Sequence, residues 1–475
     1  MTTRSGAGRI LAGVTGSTRR TIRKSVLLAR RWMSERLIRF GSRWRRPSMV
    51  ALGLRLGTRA RSHHAGWRNS GRVRPLEILA LKNSGLVSDL DAAFARADDV
   101  RLSFIPGGLW RDIAREFLSP PLGDFDQAPH RLRHPDEHKR LVDFLTVVCA
   151  RFCAHRPFDV VIAGNFTHWA NHDLGLALRA IGMPFLVLHK EGLVSAWPSV
   201  AAEYEATVSE GVGATTADAV LVHSEDTARL LTTCGIAPAE RIHVVGTIRL
   251  DACHAHRLRD AGTACGRWDR ITFFTFWPHI GIHLDDVHAD RNSSADRGDW
   301  AETLREVLGV AATLAQERPG LEVVVKSKAS VSRLPSVAPL LAALAESAPT
   351  NLRIISKNEG QDLILCSDAI VGLNSTVLLE AIAAGVPAIV PSFGRSGATW
   401  MAECLLDLDG AAQAPESPEE LLRILRSICD TTLATRDGAL RTAQSLALAR
   451  YSGNADGRAA GRLRERIEAS IRPRS

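Results

Sequence analysis

At 475 residues, with 45% hydrophobic and 23% charged side chains, the chain has globular composition and enough length for two or three domains. No run approaches 18 consecutive apolar residues, which excludes a transmembrane helix, and the arginine-dense start lacks the apolar core of a secretory signal. The net charge of +9 divides unevenly: residues 1–75 carry 19 Lys and Arg against the single acid Glu35, leaving 41 basic and 50 acidic groups elsewhere. A mildly acidic body argues against nucleic acid as a partner.

In chain order, the basic arm over residues 1–74 comes first. Val26, Ala29, Met33, Leu37 and Phe40 form a helical stripe opposite Arg31, Glu35 and Arg39, although Leu27, Leu28 and Ile38 interrupt it. The arm is expected to be either disordered or a helix lying on an anionic membrane surface. From Pro75 the texture becomes alternating β and α. Apolar runs at 76–81, 159–163, 185–189, 219–223 and 242–245 predict buried strands, with helices over 173–181 and from Ser224. Gly182-Met183-Pro184 stops the first of these helices.

After a linker near 252–268 the pattern restarts. Strands are expected at 271–276, 321–326, 352–355, 368–372 and 387–391, and helices near 301–317, 336–346, 375–384 and 418–429. The fold class is therefore α/β, with two doubly wound Rossmann-like domains over 75–252 and 268–450, and a tail or helix over 451–475. Such pairs bind ligands in a cleft outside the carboxyl ends of the strands. The eight cysteines are scattered. Cys149 and Cys153 are four apart near His155, but no second pair completes a zinc site, so reduced thiols in a cytoplasmic protein are expected.

The most informative segment is Asp368–Pro391, DAIVGLNSTVLLEAIAAGVPAIVP. A strand runs into Asn374-Ser375-Thr376, where Asn or Ser caps a helix whose free N–H groups and dipole favour phosphate. Glu380 lies one turn after Thr376 among apolar neighbours, so its carboxylate needs partners such as a ribose diol. Gly385 and Pro387 end the helix. Further along the cleft side, Lys326 and Lys328 in VVVKSK follow a strand.

NSTVLLEAIAAGVP resembles the donor-nucleotide motif of GT-B glycosyltransferases. It is particularly similar to bacterial capsule and surface-polysaccharide transferases and to CDP-glycerol glycerophosphotransferases. The resemblance implies that Ser375 and Thr376 meet the donor phosphates and Glu380 the nucleotide ribose. DAVLVHSE (218–225) and RIHVVGTIRLD (241–251) resemble the close of the first domain in these families. There Gly246-Thr247 would let backbone approach a ligand and Arg249 would neutralise phosphate. Related enzymes place a basic residue where Lys326 stands, to stabilise the departing diphosphate, although the usual His-Pro after that lysine is absent here.

A transfer that inverts the anomeric centre needs a base for the acceptor hydroxyl, and Glu191, with His189 second, is the candidate in HKEGL. That segment also resembles a stretch of UDP-N-acetylglucosamine 2-epimerases, with Lys190 departing from their pattern. The His- and Asp-rich loop 277–290 matches no standard zinc spacing, and the Asp-x-Asp pairs Asp89/Asp91 and Asp407/Asp409 are short enough to arise by chance. No metal and no cofactor are expected. The reading is transfer from a nucleotide-activated donor to an envelope glycan or lipid-linked acceptor. The alternatives are a sugar-nucleotide 2-epimerase, which would carry Ser-Gly-Gly where Asn374-Ser375-Thr376 stands, and a non-catalytic binding protein of the same fold.

Overall fold

The computed structural model describes residues 16–62, 74–82, 84–94, 97–120, 122–123, 126–189, 198–260, 269–276, 301–356, 360–394, 405–430 and 438–471. The first sheet contains β1 (Arg59–Ser62), β2 (Leu76–Lys82), β3 (Val100–Pro106), β4 (Val160–Ala163), β5 (Phe185–Leu188), β6 (Ala219–Val222) and β7 (Ile242–Val244). Their order is β1-β3-β2-β4-β5-β6-β7, parallel throughout except for β1, which pairs antiparallel with β3. The second sheet contains β8 (Arg270–Phe274), β9 (Glu322–Lys326), β10 (Leu352–Ile355), β11 (Ala369–Val371) and β12 (Ala388–Ile389). It is wholly parallel, in the order β10-β9-β8-β11-β12.

Each sheet is doubly wound, as the run of short apolar strands between helices predicts. VVIA, FLVL and AVLV are buried along their whole length, because helices cover both faces of a parallel sheet. The chain reverses its direction of travel between β2 and β4 in the first sheet and between β8 and β11 in the second. These switch points are where a ligand can enter at the carboxyl ends of the strands.

Part of the N-terminal arm is helical and packs on the first domain. Residues Gly16–Arg43 and Pro47–Gly57 form two helices packed on each other, and Arg59–Ser62 supplies the edge strand β1. Ile38, Val50, Ala51 and Leu54 are buried in the core of the first domain. Small groups allow this close contact: a Cβ on Gly53 would stand 2.7 Å from Ile38, and Ser34 Oγ donates to Gly53 O at 2.7 Å. The Arg45 guanidinium lies 3.4 Å from the centre of the Phe117 ring. Ile38, which broke the expected stripe, faces inward.

The C-terminal residues also return to the first domain. The helix Ala459–Ile471 buries Ala459, Leu463 and Ile467 against the strands and helices around β2. Asp251 caps it, accepting from the amides of Ala459 at 3.0 Å and Ala460 at 2.8 Å. Asn454 is fully buried and donates to Thr247 O at 2.9 Å and to Asp251 Oδ1 at 2.7 Å. Gly453 makes the turn possible, with φ +56° and a would-be Cβ only 1.9 Å from His223 O. Among the described residues no helix is long and apolar enough to cross a membrane.

Candidate functional site

The carboxyl edge of the second sheet gathers most of the residues singled out in the sequence. After β11 the chain passes Asn374, whose φ of +41° is left-handed, a conformation Asn tolerates better than most side chains. Asn374 Oδ1 accepts from Leu406 N at 3.0 Å. Ser375 is the N-cap of the helix Thr376–Ala384, its Oγ accepting from Val377 N at 3.5 Å. Gly385 closes that helix in a left-handed turn at φ +75°. Asn374, Ser375, Thr376 and Val377 are half-buried, so the first helical turn is within reach of solvent.

Glu380, one turn into the helix, is 4% exposed. Its Oε1 meets Arg249 Nη1 at 3.4 Å, and Arg249 Nε stands 3.6 Å from Asp89 Oδ1. Asp89 belongs to the first-domain helix Ser84–Phe94, so the guanidinium links acids of the two domains. Gln361 holds the arginine from behind, donating from Nε2 to Arg249 O at 2.7 Å. Burial pushes the Glu380 carboxyl above its usual range and Asp89 adds to this, while Arg249 opposes both. The acid expected to meet a ribose thus has a protein partner, the same arginine that was expected at the phosphates.

Lys326 ends β9, and in the register of the sheet it lies opposite Phe274 of β8. It is 7% exposed, and its Nζ donates to Ser327 O at 3.1 Å. Among the described residues no carboxylate pairs with it. Burial, and then the neighbouring charge of Lys328, hold its pKa below that of an ordinary lysine. Lys328 itself lies beyond the strand and is exposed. β8 separates β9 from β11, which sets the end of Lys326's strand about 10 Å from the strand that feeds the Ser375 cap. A buried ammonium that no described carboxylate neutralises, beside a half-exposed helix N-terminus, is an arrangement that an anion completes.

Two further candidates are placed differently from expectation. Thr247 is enclosed by the returning C-terminal segment: its amide donates to Ser452 O at 2.8 Å and its carbonyl accepts from Asn454. The backbone that closely approaches Gly246 is that of Gly453, whose carbonyl would lie 2.6 Å from a Cβ there. His189 follows β5 and is 2% exposed, its ring 4.4 Å from that of Phe166. Burial takes its pKa down to about 3, so it stays neutral and takes up a proton poorly near pH 7. Glu191 and the loop 277–290 lie outside the described residues, and so does Lys190.

Among the described residues no cluster of His, Cys, Asp and Glu is arranged to hold a metal. Burial raises the Cys153 thiol to about 11 and the Cys253 thiol to about 12. Sequence reasoning set Asp89 aside as half of a chance Asp-x-Asp pair and missed Gln361. It also missed a buried chain in the first domain, in which His130 Nδ1 meets His138 Nε2 at 2.9 Å and His138 Nδ1 meets Asp173 Oδ2 at 2.7 Å. Only the i, i+8 histidine spacing hints at that chain, and it knits together the helices Gln127–Arg133, Pro135–Cys153 and Trp169–Ala180.

No protein-family model and no curated protein matches the sequence. Among solved structures the chain is similar to a UDP-GlcNAc 2-epimerase from Neisseria meningitidis bound to UDP-GlcNAc, at 12% identity over 83% of this chain and 100% of that one, with a TM-score of 0.44. A UDP-GlcNAc 2-epimerase from Methanocaldococcus jannaschii, in complex with UDP-GlcNAc and UDP, matches at 12% identity over 83% and 99%, with a TM-score of 0.44. An alpha,alpha-trehalose-phosphate synthase (UDP-forming) from Burkholderia vietnamiensis matches at 12% identity over 84% and 98%, with a TM-score of 0.42. Likenesses this distant leave the chemistry to this chain's own side chains.

Proposed function

We propose that the chain is a glycosyltransferase that moves a sugar, or a related polyol-phosphate unit, from a nucleotide-activated donor to an envelope glycan or its lipid-linked precursor. The observation that carries the reading is Lys326, a buried ammonium with no acid partner among the described residues, level with the Ser375-capped helix at the switch point of the second sheet. The donor phosphates lie between them. Thr376 and the positive end of the helix dipole bind one side, and Lys326 the other. The exposed Lys328 contributes longer-range attraction.

In the transfer, the bond from the anomeric carbon to the departing phosphate oxygen breaks and the electron pair stays on that oxygen. Lys326 and the helix N-terminus are fixed in place to receive the growing negative charge, which is the largest single effect available to such a site. The acceptor hydroxyl attacks the anomeric carbon and gives up its proton to a base, for which Glu191 is the proposed residue. Glu380, already paired with Arg249, takes the ribose by presenting its second carboxylate oxygen. Arg249 is then the positioning residue for Glu380 and does not contact phosphate itself.

The test is to incubate the full chain with UDP-, GDP-, CMP- and CDP-activated sugars and CDP-glycerol, with and without a membrane glycolipid extract. Nucleotide release that depends on the extract, with a matching mass gain in a glycolipid, supports transfer. Inversion at C2 of a UDP-sugar without any acceptor would make the chain an isomerase. No turnover of any donor by folded protein would leave only the binding-protein alternative.

A further inference from the structure

The helix Gly16–Arg43 is built inside out. Where it meets the body of the protein it presents Ser34, Ile38, Gly41 and Ser42, mostly small groups, all buried. Its opposite side carries the large apolar side chains: Leu28 is 66% exposed, Trp32 56%, Met33 47% and Phe40 53%, and just past the helix Trp44 is 61% exposed. At 100° per residue these five spread over an arc of about 160° on the side away from the core. Arg36, Arg39 and Arg43 lie among them, and Phe40 and Trp44 are neighbours with ring centres 6.0 Å apart. A fold that needed this helix only for packing would turn the aromatic side chains inward, so the outward patch points to something that covers it.

Charge narrows what that cover can be. The helix holds nine basic residues and one acid, Glu35, and the whole of residues 16–62 holds fourteen basic residues against that same acid. Two copies placed face to face would oppose like charges across the patch, which disfavours self-association. A single-stranded nucleic acid needs open aromatic faces within a groove, whereas here the surface is a convex helix and the Arg36 guanidinium already lies 4.3 Å over the Trp32 ring. Aliphatic Leu28 and Met33 and the two tryptophans, with arginines set between them, fit the boundary between acyl chains and anionic headgroups.

We infer that this outward face lies flat on an anionic lipid bilayer, with Leu28, Trp32, Met33, Phe40 and Trp44 at the level of the headgroups and the arginines against the lipid phosphates. The helix lies along the surface and does not cross it. Because Ile38 and Val50 fix the helix to the first domain, the surface would hold that domain in one orientation, independently of whether the donor site is occupied.

The test is co-sedimentation of the full chain with vesicles of phosphatidylcholine alone and of phosphatidylcholine containing phosphatidylglycerol. The proteins compared are the wild type, the double variant Trp32→Glu/Trp44→Glu, and Leu446→Glu, which alters an exposed leucine on another helix. The surface reading predicts binding to the anionic vesicles only, weakened by salt, reduced about tenfold or more in the double variant and unchanged in Leu446→Glu. Unfolding midpoints equal to the wild type's establish that each variant folds. Equal vesicle binding by the double variant would overturn the assignment. So would no vesicle binding, whether the face then proved to carry self-association on gel filtration or binding of a single-stranded RNA oligonucleotide.

Discussion

Arg249 and Glu380 meet at 3.4 Å across the junction of the two domains, and the same guanidinium stands 3.6 Å from Asp89. Two acids drawn from helices of different domains therefore share one cation. Removing the cation leaves both carboxylates in a poorly solvated place, whereas removing one acid leaves a pair.

Arg249→Ala is expected to destabilise the fold by ~3 kcal/mol at neutral pH, the lower end of the range for breaking a buried ion pair because the arginine is itself partly exposed. The pH dependence has a definite sign. Burial already raises the Glu380 carboxyl, so its contribution is fully present below the ordinary carboxylate range and is lost as pH rises through the raised value. Without Arg249 that value rises further. The penalty measured by urea unfolding should therefore shrink between about pH 7 and about pH 4, as the carboxylates protonate.

Lys326 behaves oppositely if it serves a ligand. Its buried ammonium has no counter-ion among the described residues, so Lys326→Met should leave the unfolding midpoint unchanged or raise it while weakening nucleotide binding. Lys328→Met, on an exposed side chain, should change both only slightly. A structural lysine would instead lose stability on substitution.

His189 supplies a second pH signature. Its pKa falls from an ordinary value near 6.5 to about 3 in the folded chain, so its stabilising contribution is present above the unfolded value and is lost as pH falls from there towards about 3. His189→Phe keeps the apolar contact with Phe166 and removes the titration. Unfolding free energy should then decline less steeply between about pH 6.5 and about pH 4 than in the wild type.

Gly453→Ala tests the return of the C-terminal segment. The new Cβ would lie 1.9 Å from His223 O, at a φ that alanine rarely adopts, so the loss should be a few kcal/mol, ~3 or more. Hydrogen exchange should show the helix Ala459–Ile471 losing protection first.

What the sequence disclosed, and what it hid, follows from the range of the interactions. The Thr376–Ala384 helix was legible because its cap, its apolar face, Gly385 and Pro387 are all local signals. So were the strands buried on both faces. β3 was not, because Arg101 and Ser103 break its apolar run and Arg101 answers Glu77 on the neighbouring strand. The inward face of the first helix was hidden because Ser34 and Gly41 pack by being small, a signal that hydrophobic periodicity does not carry. The Asp89–Arg249–Glu380 link and the docking of Asn454 join residues more than a hundred positions apart, and nothing in either local sequence announces the partner.

Calorimetric titration of UDP, CDP, GDP and CMP, and of the corresponding nucleosides, into wild type and Lys326→Met tests the donor site most directly. The account predicts one preferred base, tighter binding of the phosphorylated form than of its nucleoside, and a loss of about 10- to 100-fold in the variant, the value of a hydrogen bond to a charged group. Equal affinity in both proteins, or no binding to well-folded wild type, would contradict it.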